Sequence, residues 1–443
     1  MIGEVDKTTV LSTFSDNKIN IIDLFAGIGG FHYAFKNTIK DTNIEYNCSL
    51  VSEIDTSAIH VYRNNFNYEN DIIDVNKIND HLSKDENVKE NVDIVFCGFP
   101  CQSFSNAGMR KGFQDENRGK LIFKVIGFVK QYKPKIILLE NVKHIVKHDN
   151  GRTFKIIIDE FKKLEYITTK DVLKDPLILN PINFNLYQSR ERVFIPFVKK
   201  DIAKNVNDLG EPKQINNTFE KIKWDKKIIF DDKVDNKYYL KSKKNCSETY
   251  RALKAWEEFV KYFISKKKKI PVIWLDEMIN KKYKSKSIAI NSDWYKNYMN
   301  AMNKFYKENK TFIDKWAKKH KVLDFKLRRN KKLEWQAGMD TKFEETYLQL
   351  RQSGFRFRKP ICFPTLVATV QVPIIHDKKG WRYLTPKENA KLQSFPEEHI
   401  IDKNDHQAYK QYGNSINVNV ARLVIETFLL KYIKEIYERK RNA

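Results

Sequence analysis

The chain of 443 residues is long enough for two or three domains with a substantial core, and its hydrophobic fraction of 41% excludes a disordered chain. Its formal net charge of +25 indicates a polyanionic partner, although an AT-rich genome that favours lysine codons would also raise the charge. The five cysteines lack CxxC spacing, which supports neither a disulfide framework nor a zinc cluster, so no metal is expected. The sequence has no signal-type segment and no apolar run of membrane-spanning length, so we expect a cytoplasmic protein without a membrane partner.

The first predicted strand covers residues 20–25, and glycines at 27, 29 and 30 separate it from a helix. Glycines in that position let the backbone approach a ligand closely, although a purely structural tight turn explains them equally well. A second strand over residues 49–51 leads to Glu53, where nucleotide-binding folds hold ribose hydroxyls. The loop is not GxGxxG, so an adenosine-containing cofactor smaller than a dinucleotide fits as well. Residues 70–74 could end a third strand, with an ordinary polar loop as the alternative.

The apolar run at residues 92–96 predicts a buried parallel strand, which Gly98 and Pro100 end. Cys101 follows at the carboxyl end of that strand, where open α/β sheets place their chemistry. Pro100 fixes its own φ and favours an extended Phe99, so Cys101 is presented rigidly. Cys101 is therefore a candidate nucleophile, and the alternative is a small buried residue.

A helix is predicted over residues 121–132, followed by a fully buried strand over 136–139 that ends in Glu140. A carboxyl group at the end of a buried strand is a candidate acid or base, because burial raises its pKa. The alternative is a solvated glutamate at a strand end. A helix over 153–164 and a strand near 166–173 are expected next.

Alternation along an extended segment places Gln188, Arg190 and Arg192 on one face, which suits a phosphate or a base edge. The alternative is a surface ion-pair ladder with Glu191.

Beyond residue 200 the periodicity weakens, and lysine clusters alternate with aromatic residues. Basic groups track phosphates, and the aromatic residues either stack on bases or build a small core.

Residues 351–359 are expected to be an exposed basic segment, and residues 363–368 a strand. Thr385, Pro386 and Glu388 form a capping box that opens a helix. The predicted domains are residues 1–200, 201–375 and 376–443, with the final amphipathic helix returning to the first domain.

Taken together, these stretches resemble the DNA cytosine-C5 methyltransferases of the bacterial restriction–modification type. The matching motifs stand in the usual order of that family: residues 23–30 (DLFAGIGG), 98–105 (GFPCQSFS), 140–142 (ENV), 188–192 (QSRER) and 411–415 (QYGNS). They cover roughly residues 20–200 and 360–435, and the lysine-rich middle falls where the family keeps its variable target-recognition domain. The resemblance implies an α/β fold, with a Rossmann-like class I methyltransferase domain and a smaller, irregular target-recognition domain.

The resemblance also implies transfer of a methyl group from S-adenosylmethionine to C5 of a flipped-out cytosine, with S-adenosylhomocysteine as product. Cys101 is then the nucleophile at C6, Glu140 acts on N3, Arg192 holds the base O2 or a phosphate, and Arg190 organises the loop. The implied cofactor-binding residues are Phe25, Ala26, Gly27, Gly29, Gly30, Glu53, Ile54, Asp71, Ile72, Pro100, Asn414 and Ser415. The implied nucleic-acid-binding residues are Gln102, Ser105, Arg118, Gln188, Arg356 and Arg358.

By the same resemblance the partner is double-stranded DNA, read in a specific sequence by a cytoplasmic protein associated with the bacterial nucleoid through DNA. We expect a monomer, because a single asymmetric cleft serves one half of the site at a time. A cognate restriction endonuclease would act on the same site. Three alternatives are a transferase of this fold for tRNA cytosine, a non-catalytic DNA-binding module and a nicotinamide dehydrogenase. The large middle segment disfavours the first, intact Cys101 and Glu140 the second, and the missing GxGxxG the third.

Overall fold

The computed structural model describes residues 17–78, 91–100, 121–204, 206–214, 229–242, 247–279 and 293–442. The chain divides into two compact units. Unit 1 comprises residues 1–223 and 390–443, and unit 2 comprises residues 224–389. In the described residues, no helix is both long enough and apolar enough to cross a membrane.

Strands and helices alternate along the first part of unit 1. Its strands are β1 (Ile19–Leu24), β2 (Tyr46–Ser52), β3 (Ile72–Ile73), β4 (Ile94–Cys97), β5 (Ile136–Val142), β6 (Tyr166–Ile167), β7 (Ile178–Leu179) and β8 (Arg192–Lys199). Its helices are α1 (Gly30–Ile39), α2 (Thr56–Phe66), α3 (Leu121–Tyr132), α4 (Arg152–Lys163) and α5 (Lys200–Ala203). The helix over residues 121–132 is confirmed, whereas the strand expected over residues 166–173 extends only over Tyr166 and Ile167.

Among the described residues, eight strands form one sheet in the order β3-β2-β1-β4-β5-β8-β6, with β7 also paired to β8. The five strands from β3 to β5 are parallel, and β8 is antiparallel to β5, β6 and β7. Every residue of β1 is buried, as expected of a parallel strand covered on both faces. Strand order reverses between β1 and β4, and open α/β sheets bind ligands beyond the carboxyl ends of strands at such a point.

Unit 2 contains a sheet of its own. Its helices are α6 (Ser247–Ser265), α7 (Leu275–Met278), α8 (Asp293–Glu308) and α9 (Lys310–His320). Its strands are β9 (Ile273–Trp274), β10 (Lys332–Trp335), β11 (Tyr347–Arg351), β12 (Gly354–Arg358), β13 (Ile374–Asp377) and β14 (Gly380–Tyr383). In the described residues these strands pair in the order β14-β13-β11-β12-β10-β9.

Two expectations for the sequence of unit 2 are wrong. Residues 351–359 are not an open basic segment, because β11 and β12 form a hairpin whose Phe355 and Phe357 are buried. Residues 363–368 form no strand, since Pro364 lacks the N–H that a ladder requires. Aromatic residues of this region build a core, in which Trp256 and Trp316 lie with ring centroids 5.2 Å apart.

The C-terminal part contains α10 (Pro386–Leu392), α11 (Asp405–Asn414), α12 (Val418–Val424), a π-helical turn (Ile425–Leu429) and α13 (Leu430–Asn442). The predicted capping box is confirmed: Thr385 N donates to Glu388 Oε2 at 2.7 Å, and Glu388 N donates to Thr385 Oγ1 at 3.1 Å. Helix α13 contacts β1, and Lys440 near its end pairs with the buried Asp93 at 2.7 Å.

Candidate active site

A cavity of 490 Å³ opens in unit 1 at the carboxyl ends of the parallel strands. Phe25 after β1, Ser52 at the end of β2, Gly98 after β4 and Glu140 in β5 all line it. The cavity therefore lies at the reversal of strand order, the position where this kind of sheet binds its ligands.

The loop between β1 and α1 forms one wall and has an unusual backbone. Phe25 has a φ of +57° and Gly29 a φ of +84°, in the left-handed region that side chains rarely adopt. Gly30 is required for another reason, since a Cβ there would lie 2.7 Å from Ile416 Cγ1. The loop is thus held against the segment that follows α11, and Gly27 faces open space.

Glu53 joins the loop to the end of β2. Its Oε2 accepts a hydrogen bond from Gly27 N at 2.8 Å, and its Oε1 accepts from Ile54 N at 2.7 Å and Asp55 N at 2.8 Å. A carboxylate has about four acceptor positions, so roughly one remains for a hydroxyl donor in the cavity. Beside it, Ile54 also lines the cavity and is 72% exposed to solvent, which suits contact with a flat apolar ring.

The third strand contributes different residues from those predicted. Ile72 pairs with Val51 and Ile73 with Ser52, so the strand ends at Ile73. Asp74 is the first residue beyond that end, and Asp74 and Asn76 line the cavity, whereas Asp71 and Ile72 do not. In the sequence Asp74 directly follows the apolar pair Ile72–Ile73, whereas Asp71 was predicted from a weaker match to the family pattern.

The far side of the cavity holds an acid and a cation. Glu140 is buried, and Arg192 Nε lies 2.9 Å from Glu140 Oε1. Burial raises the pKa of Glu140, and the nearby Arg192 and Arg190 guanidinium groups oppose that rise. Because the raised pKa favours the neutral acid, Glu140 is suited to hydrogen-bond or protonate a ring nitrogen.

The other residues of the 188–192 motif lie apart from this pair. Arg190 is buried and donates through Nη2 to the carbonyl oxygens of Gly413 and Ser415, so it fixes the turn after α11. Gln188 is fully buried rather than on an open surface. Glu191 points outward and pairs with Lys143 at 2.6 Å, so it forms no ladder with Arg190 and Arg192.

Asn141 is a site residue to which the sequence assigned no role. Its side-chain amide donates to the carbonyl oxygen of Phe99 at 3.2 Å, and its own Oδ1 accepts from Val142 N at 2.8 Å. Asn141 therefore holds the chain two residues before Cys101 beside Glu140. Its only sequence signal was its position next to that glutamate.

Most of the predicted site residues that the structure describes come together in the cavity. Those that line it are Phe25, Ala26, Gly27, Gly30, Glu53, Ile54, Pro100, Glu140, Arg190, Arg192, Asn414 and Ser415. Gly29 supports the loop without lining it. Cys101, Gln102, Ser105 and Arg118 lie outside the described residues.

The two predicted arginines of unit 2 lie on β12. Arg356 Nε is 2.5 Å from Glu334 Oε2, and Arg358 Nε donates to Gln336 Oε1 at 3.0 Å. Both side chains are half-buried.

A parallel sheet with a cavity at its switch point, a glycine loop and a ribose-type acid are features of nucleotide-cofactor enzymes. The chain belongs to the C-5 cytosine-specific DNA methylase family, whose model matches residues 19–429. The protein is a DNA cytosine-5 methyltransferase, and the expected family and α/β class are confirmed.

The chain resembles characterised members of this class over nearly its whole length. It is 30% identical to the Type II methyltransferase M.HpaII of Haemophilus parainfluenzae, over 90% of this chain and 86% of the relative. It is 27% identical to the Type II methyltransferase M.BanI of Aneurinibacillus aneurinilyticus, over 96% and 99% of the two chains. The crystal structure of the S. pombe Dnmt2 methyltransferase superposes with a TM-score of 0.52 at 14% identity, covering 94% of this chain and 99% of that one. This last likeness concerns the fold alone.

Proposed function

We propose that this protein methylates C5 of a flipped-out cytosine within a specific duplex DNA sequence, using S-adenosylmethionine and a covalent bond between Cys101 and C6 of the base. The observation that carries the proposal is that one cavity is lined both by the glycine loop with Glu53 and by the Glu140–Arg192 pair. Cofactor-holding groups and groups suited to a pyrimidine ring are therefore within reach of each other.

The residues of the cavity fit the cofactor. Glu53 would accept a ribose hydroxyl, Phe25 and Ile54 would contact the adenine, and Gly27 would leave room for the methionine part. Asp74, which lines the same cavity, would accept a hydrogen bond from the adenine amine. When bound, S-adenosylmethionine supplies an electrophilic methyl group and becomes S-adenosylhomocysteine.

The chemistry explains why the site needs a thiol, an acid and a cation. Cytosine C5 is a weak nucleophile until the Cys101 thiolate adds to C6 and pushes electrons toward N3. Glu140 donates a proton or hydrogen bond at N3, and Arg192 stabilises the charge near O2. Once C5 carries the methyl group, a base removes the C5 proton, the C5–C6 double bond forms again and the thiolate leaves.

Duplex DNA is the proposed substrate, and unit 2 is the proposed target-recognition domain. Flipping the base costs a few kcal/mol, which contacts along the duplex offset. The net charge of +25 predicts strong salt dependence of DNA binding. We propose that Arg356 and Arg358 assist DNA binding, that the enzyme acts as a monomer in the bacterial cytoplasm, and that it protects sites cut by a cognate endonuclease.

The direct test is transfer of a labelled methyl group to duplex DNA of mixed sequence and to tRNA, followed by bisulfite sequencing of the DNA. We expect label in DNA alone, at cytosines in one sequence context. Label in tRNA alone would overturn the substrate assignment, and label without sequence preference would overturn the proposed role of unit 2.

A further inference from the structure

An ion pair in the wall of the cavity joins distant parts of unit 1. Lys410 Nζ lies 2.7 Å from Asp55 Oδ2, and the two residues are 355 positions apart in the sequence. Both line the cavity, and their side chains are 38% and 30% exposed. The pair is therefore accessible from the space that the proposed cofactor would occupy.

Both partners are fixed in place by their own elements. Asp55 is the N-cap of α2, and its Oδ1 accepts hydrogen bonds from Ser57 N and Ala58 N. Lys410 belongs to α11, whose next residue, Gln411, donates to Ser57 Oγ at 2.8 Å. Lys410 and the capping N–H groups hold the pKa of Asp55 below its usual range, so the carboxylate is charged at neutral pH.

The other charged groups lining the described cavity have different partners. Glu140 and Arg192 face each other, and Arg190 is bound to backbone carbonyl oxygens. Glu53 accepts hydrogen bonds from three backbone N–H groups, and Asp74 caps the turn that begins at Val75. Among the described lining residues Lys410 is the one lysine, and Asp55 is its counter-ion.

The methyl donor and the product of the proposed reaction differ by one positive charge, since a sulfonium becomes a neutral thioether. An uncompensated ammonium on the cavity wall would oppose the sulfonium and leave the thioether unaffected. An uncompensated carboxylate would do the opposite. The balance between Asp55 and Lys410 therefore acts on the difference between donor and product.

We propose that the Asp55–Lys410 pair tunes the preference of the cavity for S-adenosylmethionine over S-adenosylhomocysteine. The inference rests on the proposed cofactor and adds two residues whose charge balance changes how strongly the product competes. Neither residue takes part in bond making, and each acts as a specificity-determining charge.

Two neutral substitutions separate the charges without removing the local structure. Asp55→Asn keeps a residue that caps helices well, and it leaves Lys410 without its counter-ion. Lys410→Gln gives a polar side chain one atom shorter, removes the positive charge and leaves the Asp55 carboxylate uncompensated. Asp55→Asn should lower the ratio of donor affinity to product affinity, and Lys410→Gln should raise it.

The experiment is calorimetric titration of the full-length protein with each of the two ligands, for the wild type, both single variants and the double variant. We expect the affinity ratio to shift roughly three- to tenfold in opposite directions in the single variants, the range for a partly exposed charge. The double variant should return close to the wild-type ratio. Partial unfolding of a variant would lower its affinity for both ligands by the same factor, so it would not change the ratio of the two affinities.

Arg422→Gln is the matched control, because the Arg422–Glu426 pair has the same separation of 2.7 Å and similar exposures of 34% and 30% but does not line the cavity. Its ratio should equal that of the wild type.

Ratios that do not move, or that move in one direction in both single variants, would overturn the inference while leaving the proposed function intact. A wild-type protein that binds neither ligand would overturn both. Asp55→Ser, a second neutral cap, should repeat the Asp55→Asn result.

Discussion

Arg192 and Glu140 face each other where two antiparallel strands end, with Arg192 Nε 2.9 Å from Glu140 Oε1. The motifs that carry them lie about fifty residues apart in the sequence, and the β5–β8 pairing brings them together. Burial raises the pKa of Glu140, and Arg192 is the strongest opposing influence. The arginine therefore controls the pH at which the glutamate loses its proton.

The first prediction concerns the pH dependence of methyl transfer. If protonated Glu140 acts on the base, the rate falls as pH rises through its pKa. Arg192→Gln removes an influence that lowers this pKa, so the alkaline fall in rate should move to higher pH. Single-turnover rates across a pH series measure the shift.

Glu191→Gln is the control, because Glu191 adjoins Arg192 in sequence but pairs with the exposed Lys143. Its pH profile should match that of the wild type. A profile for Arg192→Gln that is lower in rate but unmoved in pH would show that Arg192 acts on the substrate alone.

Glu140→Gln should slow transfer by about 10²-fold, the usual contribution of a general acid or base.

The second prediction contrasts two glycines of the cavity. A Cβ at Gly30 would lie 2.7 Å from Ile416 Cγ1, whereas a Cβ at Gly98 would meet Glu140 and Phe31 at 3.8 Å. Gly30→Ala should therefore destabilise the protein by about 1–3 kcal/mol, the usual cost of overpacking. It should also weaken cofactor binding, because the loop and the segment after α11 would move apart.

Gly98→Ala meets only ordinary van der Waals contacts and should change stability by less than about 1 kcal/mol. Urea unfolding and cofactor titration of the two variants side by side make the comparison. Equal losses in both would contradict the close packing of Gly30 against Ile416.

The third prediction concerns stability toward acid. His32 is buried, lies between the hydroxyl groups of Tyr62 (2.8 Å) and Tyr46 (3.0 Å), and stacks on Phe66 at 3.9 Å. Burial lowers its pKa from 6.5 to about 3, with a smaller contribution from Lys36. Below about pH 6.5 the unfolded state therefore binds a proton that the folded state does not, and stability falls as pH decreases toward 3.

From about pH 7 to about pH 5 this single group should cost about 2 kcal/mol of unfolding free energy. His32→Gln keeps a donor and an acceptor but does not titrate, so its loss of stability over that range should be smaller by this amount. Identical pH dependence in His32→Gln and the wild type would contradict the account.

Local signals in the sequence predict much of this fold. The apolar spacing over residues 121–132 marks α3 with its correct bounds, and Thr385 with Glu388 forms the expected capping box. These features depend on contacts within one or two turns of chain, which is why pattern alone finds them. The hairpin over residues 347–358 was not predicted, because the basic residues of its second strand hide the alternation of the buried Phe355 and Phe357.

Site residues that belong to a sequence motif could be predicted, whereas contacts between segments far apart in the sequence could not. Glu53 and Glu140 follow from strand ends, whereas the Asp55–Lys410 pair joins residues 355 positions apart. Asp74 lines the cavity because β3 ends at Ile73, a boundary that the polar stretch around it did not reveal. The resemblance implied that Arg190 organises the loop, but its hydrogen-bond partners, the carbonyl oxygens of Gly413 and Ser415, appear only in the folded chain.

The central claim is that Cys101 attacks C6 of a cytosine in duplex DNA, and 5-fluorocytosine tests it most directly. Fluorine at C5 blocks the final elimination, so the enzyme should stay covalently attached to DNA in one sequence context when S-adenosylmethionine is present. Cys101→Ser should bind the same duplex with near wild-type affinity and form no adduct. An adduct that persists in Cys101→Ser, or a folded, cofactor-bound wild-type protein that forms none in any context, would contradict the account.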